Sequence, residues 1–218
     1  MVGVISSLAA FFFFINLHAQ QEKYQNLDQF LFPEFSASRL KMKDGKNATL
    51  VLNFNTITQN MVLLTNGQLY DMTNQELVDT VFLQNRKFIP FGKIFYELVA
   101  DANVPFFIQH KSDLKDTGTP SGYGGTSQTA ATTMVSGFEH TSNYYNLKLP
   151  PKYEVIPSTV FWVRVNGNYF SFITERQLLK IFPDQADQIK QFIKASKLKI
   201  ATREDLIKLG NFCNQLMK

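Results

Sequence analysis

Asp116-Thr117-Gly118 matches the core of an aspartic-protease signature. That chemistry needs two carboxylates sharing one proton, each on a turn after an apolar strand. Here Lys115 stands where an apolar residue is required, Thr119-Pro120 follows, and no second copy of the tripeptide exists. The motif therefore reads as non-catalytic. His110 and His140 flank a long polar stretch and Glu139 adjoins the second histidine. If that stretch closes a hairpin, the three could converge on a metal. No ligand spacing supports such a site, so the expectation is no metal. The chain has no serine nucleophile elbow, no phosphate-binding glycine loop and no metalloprotease helix. No cofactor is expected, and no acidic pair is marked for glycoside hydrolysis.

The stretch that separates the histidines is compositionally unlike the rest. From Thr117 to Phe138 there is no charged residue, and Gly, Ser and Thr dominate. It lies within a loop expected over 112–143. Loops beyond about 12–15 residues are usually functional or disordered, and low hydrophobicity leaves little to offset the entropy of ordering. The functional alternative is a loop closing over a binding surface. Tyr123, Gly124, Gly125 and His140 are its candidate binding residues.

The elements that would position these groups follow from periodicity. Leu50, Leu52 and Phe54 alternate with Val51, Asn53 and Asn55, and similar alternation runs through Ile94-Tyr96-Leu98 and Val104-Phe106-Ile108. Asn66-Gly67 separates Met61–Leu64 from Leu69-Tyr70, and Asn166-Gly167 separates Thr159–Val165 from Asn168–Phe172. Both dipeptides tolerate the positive φ of a two-residue hairpin turn. Asn85-Arg86 is expected to punctuate a third pair, Thr80–Leu83 with Phe88–Phe91. Connections this short demand antiparallel pairing. After Ile173 the period becomes helical. Thr174 with Gln177 forms a capping-box pattern, Asp184 is placed to cap a second helix, and Thr202 with Asp205 opens a third. The fold class expected is α+β: an antiparallel β-meander over 20–173, barrel-like or sandwich-like. Three short helices over 174–218 should pack on it.

Residues 1–19 read as a cleavable signal peptide. Leu8 to Ile15 is an unbroken apolar run, and Ala19 follows a short polar stretch. No Lys or Arg precedes that run. The apolar stretch is too short for a spanning helix, which needs about 20 residues, so no transmembrane segment is expected in the mature chain. A lipid anchor would need a cysteine at the cleavage site, and the single cysteine is Cys213. Cys213 shares a helical face with Leu206, Leu209 and Leu216, which predicts a buried thiol. The net charge of +4 resides in 174–218, where nine basic residues stand against five acidic ones. Lys190, Lys194 and Lys197 are spaced to share one helix face. Without aromatics interleaved among the basic residues, nucleic acid is not an expected partner.

Three stretches carry a resemblance: GYGGTSQTAATT at 122–133, LKLPPKYEVIPSTVFWVRVNG at 147–167 and FITERQLLKIFPDQADQIKQFIK at 172–194. Over roughly residues 30–218 the chain resembles a family of uncharacterised exported proteins of Bacteroidota, particularly flavobacteria. The resemblance implies export into a Gram-negative envelope, periplasmic or extracellular, and implies no activity. Asp79-Thr80-Val81 also resembles the short O-glycosylation signal of such proteins, although a plain strand start fits it better. Asn47-Ala48-Thr49 is a glycosylation sequon by spelling only. The function expected is a non-catalytic envelope binding module, acting on an envelope protein, a glycan or an anionic lipid headgroup. The alternative is a secreted hydrolase whose acidic residues converge only in the fold. A flat apolar or aromatic surface near the long loop would favour the module, and a deep pocket holding two carboxylates, or a carboxylate with a histidine, would favour the enzyme.

Overall fold

The computed structural model describes residues 24–116, 119–120, 126–127 and 153–217. Alternating apolar residues generate β1 (Ser36–Met42), β2 (Asn47–Asn55), β3 (Asn60–Thr65), β4 (Gln68–Asp71), β5 (Val78–Leu83), β6 (Arg86–Phe91), β7 (Ile94–Ala100) and β8 (Phe106–Gln109). There follow β9 (Ser112–Asp116), β10 (Thr119–Pro120), β11 (Thr126–Ser127), β12 (Tyr153–Pro157), β13 (Val160–Val165) and β14 (Asn168–Phe172). Three helices complete the chain: α1 (Glu175–Ile181), α2 (Ala186–Ala195) and α3 (Arg203–Leu216). The α+β class is as expected.

Ten strands form one sheet in the order β14-β13-β8-β7-β6-β5-β1-β2-β3-β4, and every pairing is antiparallel. Two meanders, β1 to β4 and β5 to β8, are joined where β1 lies against β5. The sheet does not close strand to strand. Instead it rolls, and the β2–β3 turn docks on the other meander. The Phe95 amide donates to the Gln59 carbonyl at 2.9 Å, and the Ser112 amide to the Thr56 carbonyl at 3.0 Å.

The turns show which residues accept positive φ. Asn66 and Gly67 adopt φ of 51° and 72°, and Asn166 and Gly167 adopt 50° and 82°. Both hairpins form as their Asn-Gly dipeptides predict. The third turn is displaced by one residue from expectation. Gln84 and Asn85 carry the positive φ values, 50° and 58°, and Arg86 begins β6.

Pairing also corrects the long loop. Its first five residues are strand: β9 pairs with β12, with Ser112 opposite Pro157 and Asp116 opposite Tyr153. This register continues that of β8 with β13, where Phe106 faces Val163 and Gln109 faces Val160. The Ser158 amide donating to the Lys111 carbonyl at 2.8 Å bridges the two ladders. Residues 106–116 and 153–163 are thus one long hairpin whose outer half is a two-stranded ribbon.

Sheet and helices enclose two apolar cores on one face. Within the roll, Leu52, Phe54, Met61, Val81, Leu83, Phe88 and Phe95 pack together. Beside it, Phe106, Ile108, Phe161, Val163 and Phe172 meet Leu178, Phe182, Ile189, Ile193, Leu206, Leu209 and Cys213 of the helical segment. Cys213 is a buried free thiol, and burial pushes it up to about 12. On the opposite face, Tyr24, Phe30 and Phe35 cover Val62, Leu64 and Leu69.

The helices start where capping side chains satisfy free amides. Thr174 and Gln177 form the reciprocal capping box of α1, and the Thr202 hydroxyl accepts from the Asp205 amide at 3.1 Å. Asp184 does not cap α2: it lies inside a 3-10 turn, Pro183–Gln185, and Gln185 precedes the helix without a side-chain cap. Lys197 also departs from expectation, since α2 ends at Ala195 and Lys197 has φ of 51°. Lys190 and Lys194 remain exposed on α2.

Candidate functional site

Tyr123, Gly124, Gly125 and His140 lie outside the described residues, as does Glu139. Asp116 is the last residue of β9, and Thr117 and Gly118 of the same tripeptide lie outside the described residues. Asp79-Thr80-Val81 is a strand start, with Thr80 buried and its hydroxyl donating to Asp79 Oδ2 at 3.1 Å. Of the histidines considered for chemistry, His110 alone is described. Its partner is one the sequence reading passed over, Glu97. Among the described residues no group of three or more His, Cys, Asp or Glu side chains is placed to hold a metal.

Glu97 sits on β7 between Phe95 and Val99, on the face that carries both cores, and its accessibility is 0%. A buried carboxylate without partners would be expensive. Three groups converge on it: one from the neighbouring strand β6, one from the residue after β8, and one from the start of α3. His110 Nε2 meets Oε2 at 2.7 Å, Arg86 Nη1 meets the same oxygen at 3.4 Å, and Arg203 Nε at the start of α3 donates to Oε1. Burial is the largest single influence on this carboxyl and pushes it upward. The bonds from His110 and Arg203, with the charges of His110 and Arg86, outweigh burial and hold the group below its ordinary value. Phe54 and Phe88 pack against the imidazole, with ring centroids 6.0 and 6.2 Å away. Both carboxylate oxygens are occupied by donors and none of Glu97 reaches solvent. This carboxylate and histidine therefore form an ionic seam between two cores rather than an acid–base pair facing a substrate.

The other face carries a different constellation. Phe91 of β6, Tyr96 of β7, Phe107 of β8, Trp162 of β13 and Tyr169 of β14 share one face by strand alternation. Five neighbouring strands thus contribute one aromatic each. Phe91 stacks on Tyr96 (centroids 4.7 Å apart, planes at 14°), and Tyr96 stacks on Trp162 (5.7 Å, 23°). Phe91 also meets Tyr169 edge-on at 4.9 Å, and Tyr169 lies 5.7 Å from Phe107. Strand twist and curl therefore bring a β6 ring against a β14 ring four strands away. Burial, followed by the neighbouring Tyr169, raises the Tyr96 hydroxyl above its ordinary value.

Polar groups edge this cluster. Trp162 Nε1 donates to Gln109 Oε1 at 2.9 Å, and Gln109 Nε2 donates to Gln59 Oε1 at 2.6 Å. The Arg164 guanidinium lies 5.9 Å from the Tyr169 ring centre. Phe107 and Tyr96 are buried, Trp162 and Tyr169 are half-buried, and Phe91 is 37% exposed. Chemically the arrangement offers apolar ring faces beside amide, indole and phenol hydrogen-bonding groups.

The chain matches no family model, no curated protein and no solved structure. No helix among the described residues is long and apolar enough to cross a membrane.

Proposed function

We propose that this chain is an exported, non-catalytic binding module whose recognition surface is formed by Phe91, Trp162 and Tyr169, backed by the buried rings of Tyr96 and Phe107. The observation that carries the reading is the alignment of one aromatic on each of five adjacent strands, against an amide pair. A packed core already exists on the other face, so these rings are not needed to build one. Partly exposed aromatic clusters with a few fixed polar groups are typical of recognition surfaces. Among the described residues the carboxylate and histidine that converge are Glu97 and His110; Glu97 is held by two arginines and both residues are buried, so this pair lends the hydrolase alternative no support. Export into a Gram-negative envelope rests on the leader-like residues 1–19 and on the stretches that resemble flavobacterial exported proteins.

The protein carries its own reporter for this proposal, since Trp162 is its single tryptophan. Titrating the purified chain with peptidoglycan fragments, envelope glycans and anionic lipid vesicles should change Trp162 emission with one class and not the others. Phe91→Ala should weaken that response while leaving the circular dichroism spectrum unchanged. Saturable binding that leaves Trp162 emission untouched and is insensitive to Phe91→Ala would place recognition elsewhere and defeat the reading.

A further inference from the structure

Among the described residues the sheet ends on β14 at one edge and on β4 at the other, and the two edges are treated differently. At β4 the edge is short, carries Asp71, and is covered at its start by Tyr24, whose hydroxyl donates to the Gly67 carbonyl at 3.1 Å. At the other end β14 reads Asn168-Tyr169-Phe170-Ser171-Phe172, with no charge, no proline and no bulge. Exposed edge strands normally carry such devices, because their unpaired amides and carbonyls recruit other strands. The two-residue turn makes Val165 and Asn168 the first hydrogen-bonded pair, so Phe170 and Phe172 also bond to β13. Tyr169 and Ser171 therefore direct their amides and carbonyls away from the sheet. The next outward amide, of Ile173, is already capped by Gln177 Oε1 at 2.8 Å. Beside this open stretch, Phe170 is 42% exposed and Ile173 is 55% exposed.

We infer that β14 is a self-association edge, pairing antiparallel with β14 of a second copy about a two-fold axis through Phe170. In that register Tyr169 of one copy faces Ser171 of the other, twice. Each such pair exchanges two N–H···O=C bonds, so all four outward groups on each edge are satisfied. Phe170 then meets its own equivalent as the close, non-hydrogen-bonded pair, where facing side chains approach most nearly. The absence of any charge on the strand removes the like-charge repulsion that would otherwise oppose a two-fold contact, in which every residue near the axis meets its own kind. The inference is independent of the binding surface proposed above. It would also set the two copies' Tyr169 side chains on one continuous sheet face.

The test is oligomeric state, measured by light scattering and sedimentation over a roughly hundredfold range of concentration, since dimerisation makes the mass concentration-dependent. The wild-type chain should pass from monomer to dimer. Ser171→Pro removes an outward amide while sparing the bonds to β13, an edge position that tolerates proline. Phe170→Lys places two charges against each other at the axis. Both variants should remain monomeric with an unchanged circular dichroism spectrum, whereas Tyr70→Lys on the β4 edge should dimerise as wild type does. Hydrogen exchange on the unmodified chain supplies a readout that needs no variant: the Tyr169 and Ser171 amides should gain protection only at the concentrations where dimer forms. A wild type that stays monomeric throughout overturns the inference, as does a dimer that survives both substitutions or leaves those amides unprotected. A β14 edge that captures an unrelated extended peptide while the chain remains monomeric overturns it too.

Discussion

Replacing Asp71 with asparagine should stabilise this protein at neutral pH and leave it nearly unchanged in acid. Asp71 ends β4 and shares a face with Leu69 and Val62, both covered by the Tyr24–Phe35 segment. Its Oδ1 atom is buried without a hydrogen-bond partner, and burial raises the carboxyl from 3.8 to about 6. Between those values the folded protein binds a proton that the unfolded chain does not, so stability falls as pH rises through this window and stays reduced above it. Two pH units correspond to roughly 3 kcal/mol. The side chain keeps some access to water, and an asparagine amide in the same place also loses hydration, so a gain of about 1–2 kcal/mol is expected at pH 8. For a domain of this size that is a rise in melting temperature of roughly 2–8 °C. Thermal melts of wild type and Asp71→Asn at half-unit steps from pH 3.5 to 8 measure the difference directly. Curves that run parallel across that range, or converge at high rather than low pH, would refute the assignment.

Glu97→Gln should destabilise by about 3–5 kcal/mol, because it strands the Arg203 and Arg86 charges, and denaturant melts will show it. Since the Glu97 carboxyl sits below its ordinary value of 4.5, its contribution is complete above that value and is lost as pH falls further; the variant should lack that acid-side decline. Gly210→Ala should cost about 1–3 kcal/mol despite the better helix former, since an added Cβ would stand 2.7 Å from Ala100 Cβ and 3.1 Å from a Phe106 ring carbon. Stabilisation in a thermal melt would show that the contact between α3 and the sheet is looser. Shortening Thr117–Phe138 to a few Gly/Ser residues should change stability by less than about 1 kcal/mol, because β9 and β12 pair in register on either side of it and closure entropy varies slowly with length. An unfolded product would mean that the segment belongs to a core.

What the sequence revealed and what it hid divide by distance along the chain. Asn166-Gly167 and Thr174 with Gln177 act within a few residues, and both turn and cap formed where local chemistry placed them. The Gln84-Asn85 turn was displaced because glutamine has no intrinsic preference for positive φ; pairing of Leu83 with Arg86 imposes it. Asp184 failed as a cap because Pro183 begins a 3-10 turn ahead of α2. Glu97 left a readable trace, a carboxylate at an inward position between Phe95 and Val99, which demands partners. Its partner Arg203 lies 106 residues away, and no periodicity points there. Each aromatic of the outer face was likewise visible as one member of an alternating strand. Their convergence depends on a strand order in which β8 lies between β7 and β13, and on a curl that no local pattern encodes.

Two long-range polar ties of α3 set an order of assembly. Arg203 reaches back 106 residues to Glu97, and Asn214 reaches back 110 residues to grip both the amide and the carbonyl of Val104, at 2.7 and 2.8 Å. The rolled core draws only on residues 31–95 and can condense from neighbouring hairpins at low contact order. The helix-covered core cannot be sealed until α3 has arrived. A chain emerging from its N-terminus therefore holds Phe106, Ile108 and Val163 open to solvent until its last helix has been delivered. Docking of that helix is the step that closes this core, and until it occurs the open apolar face is available for misassociation.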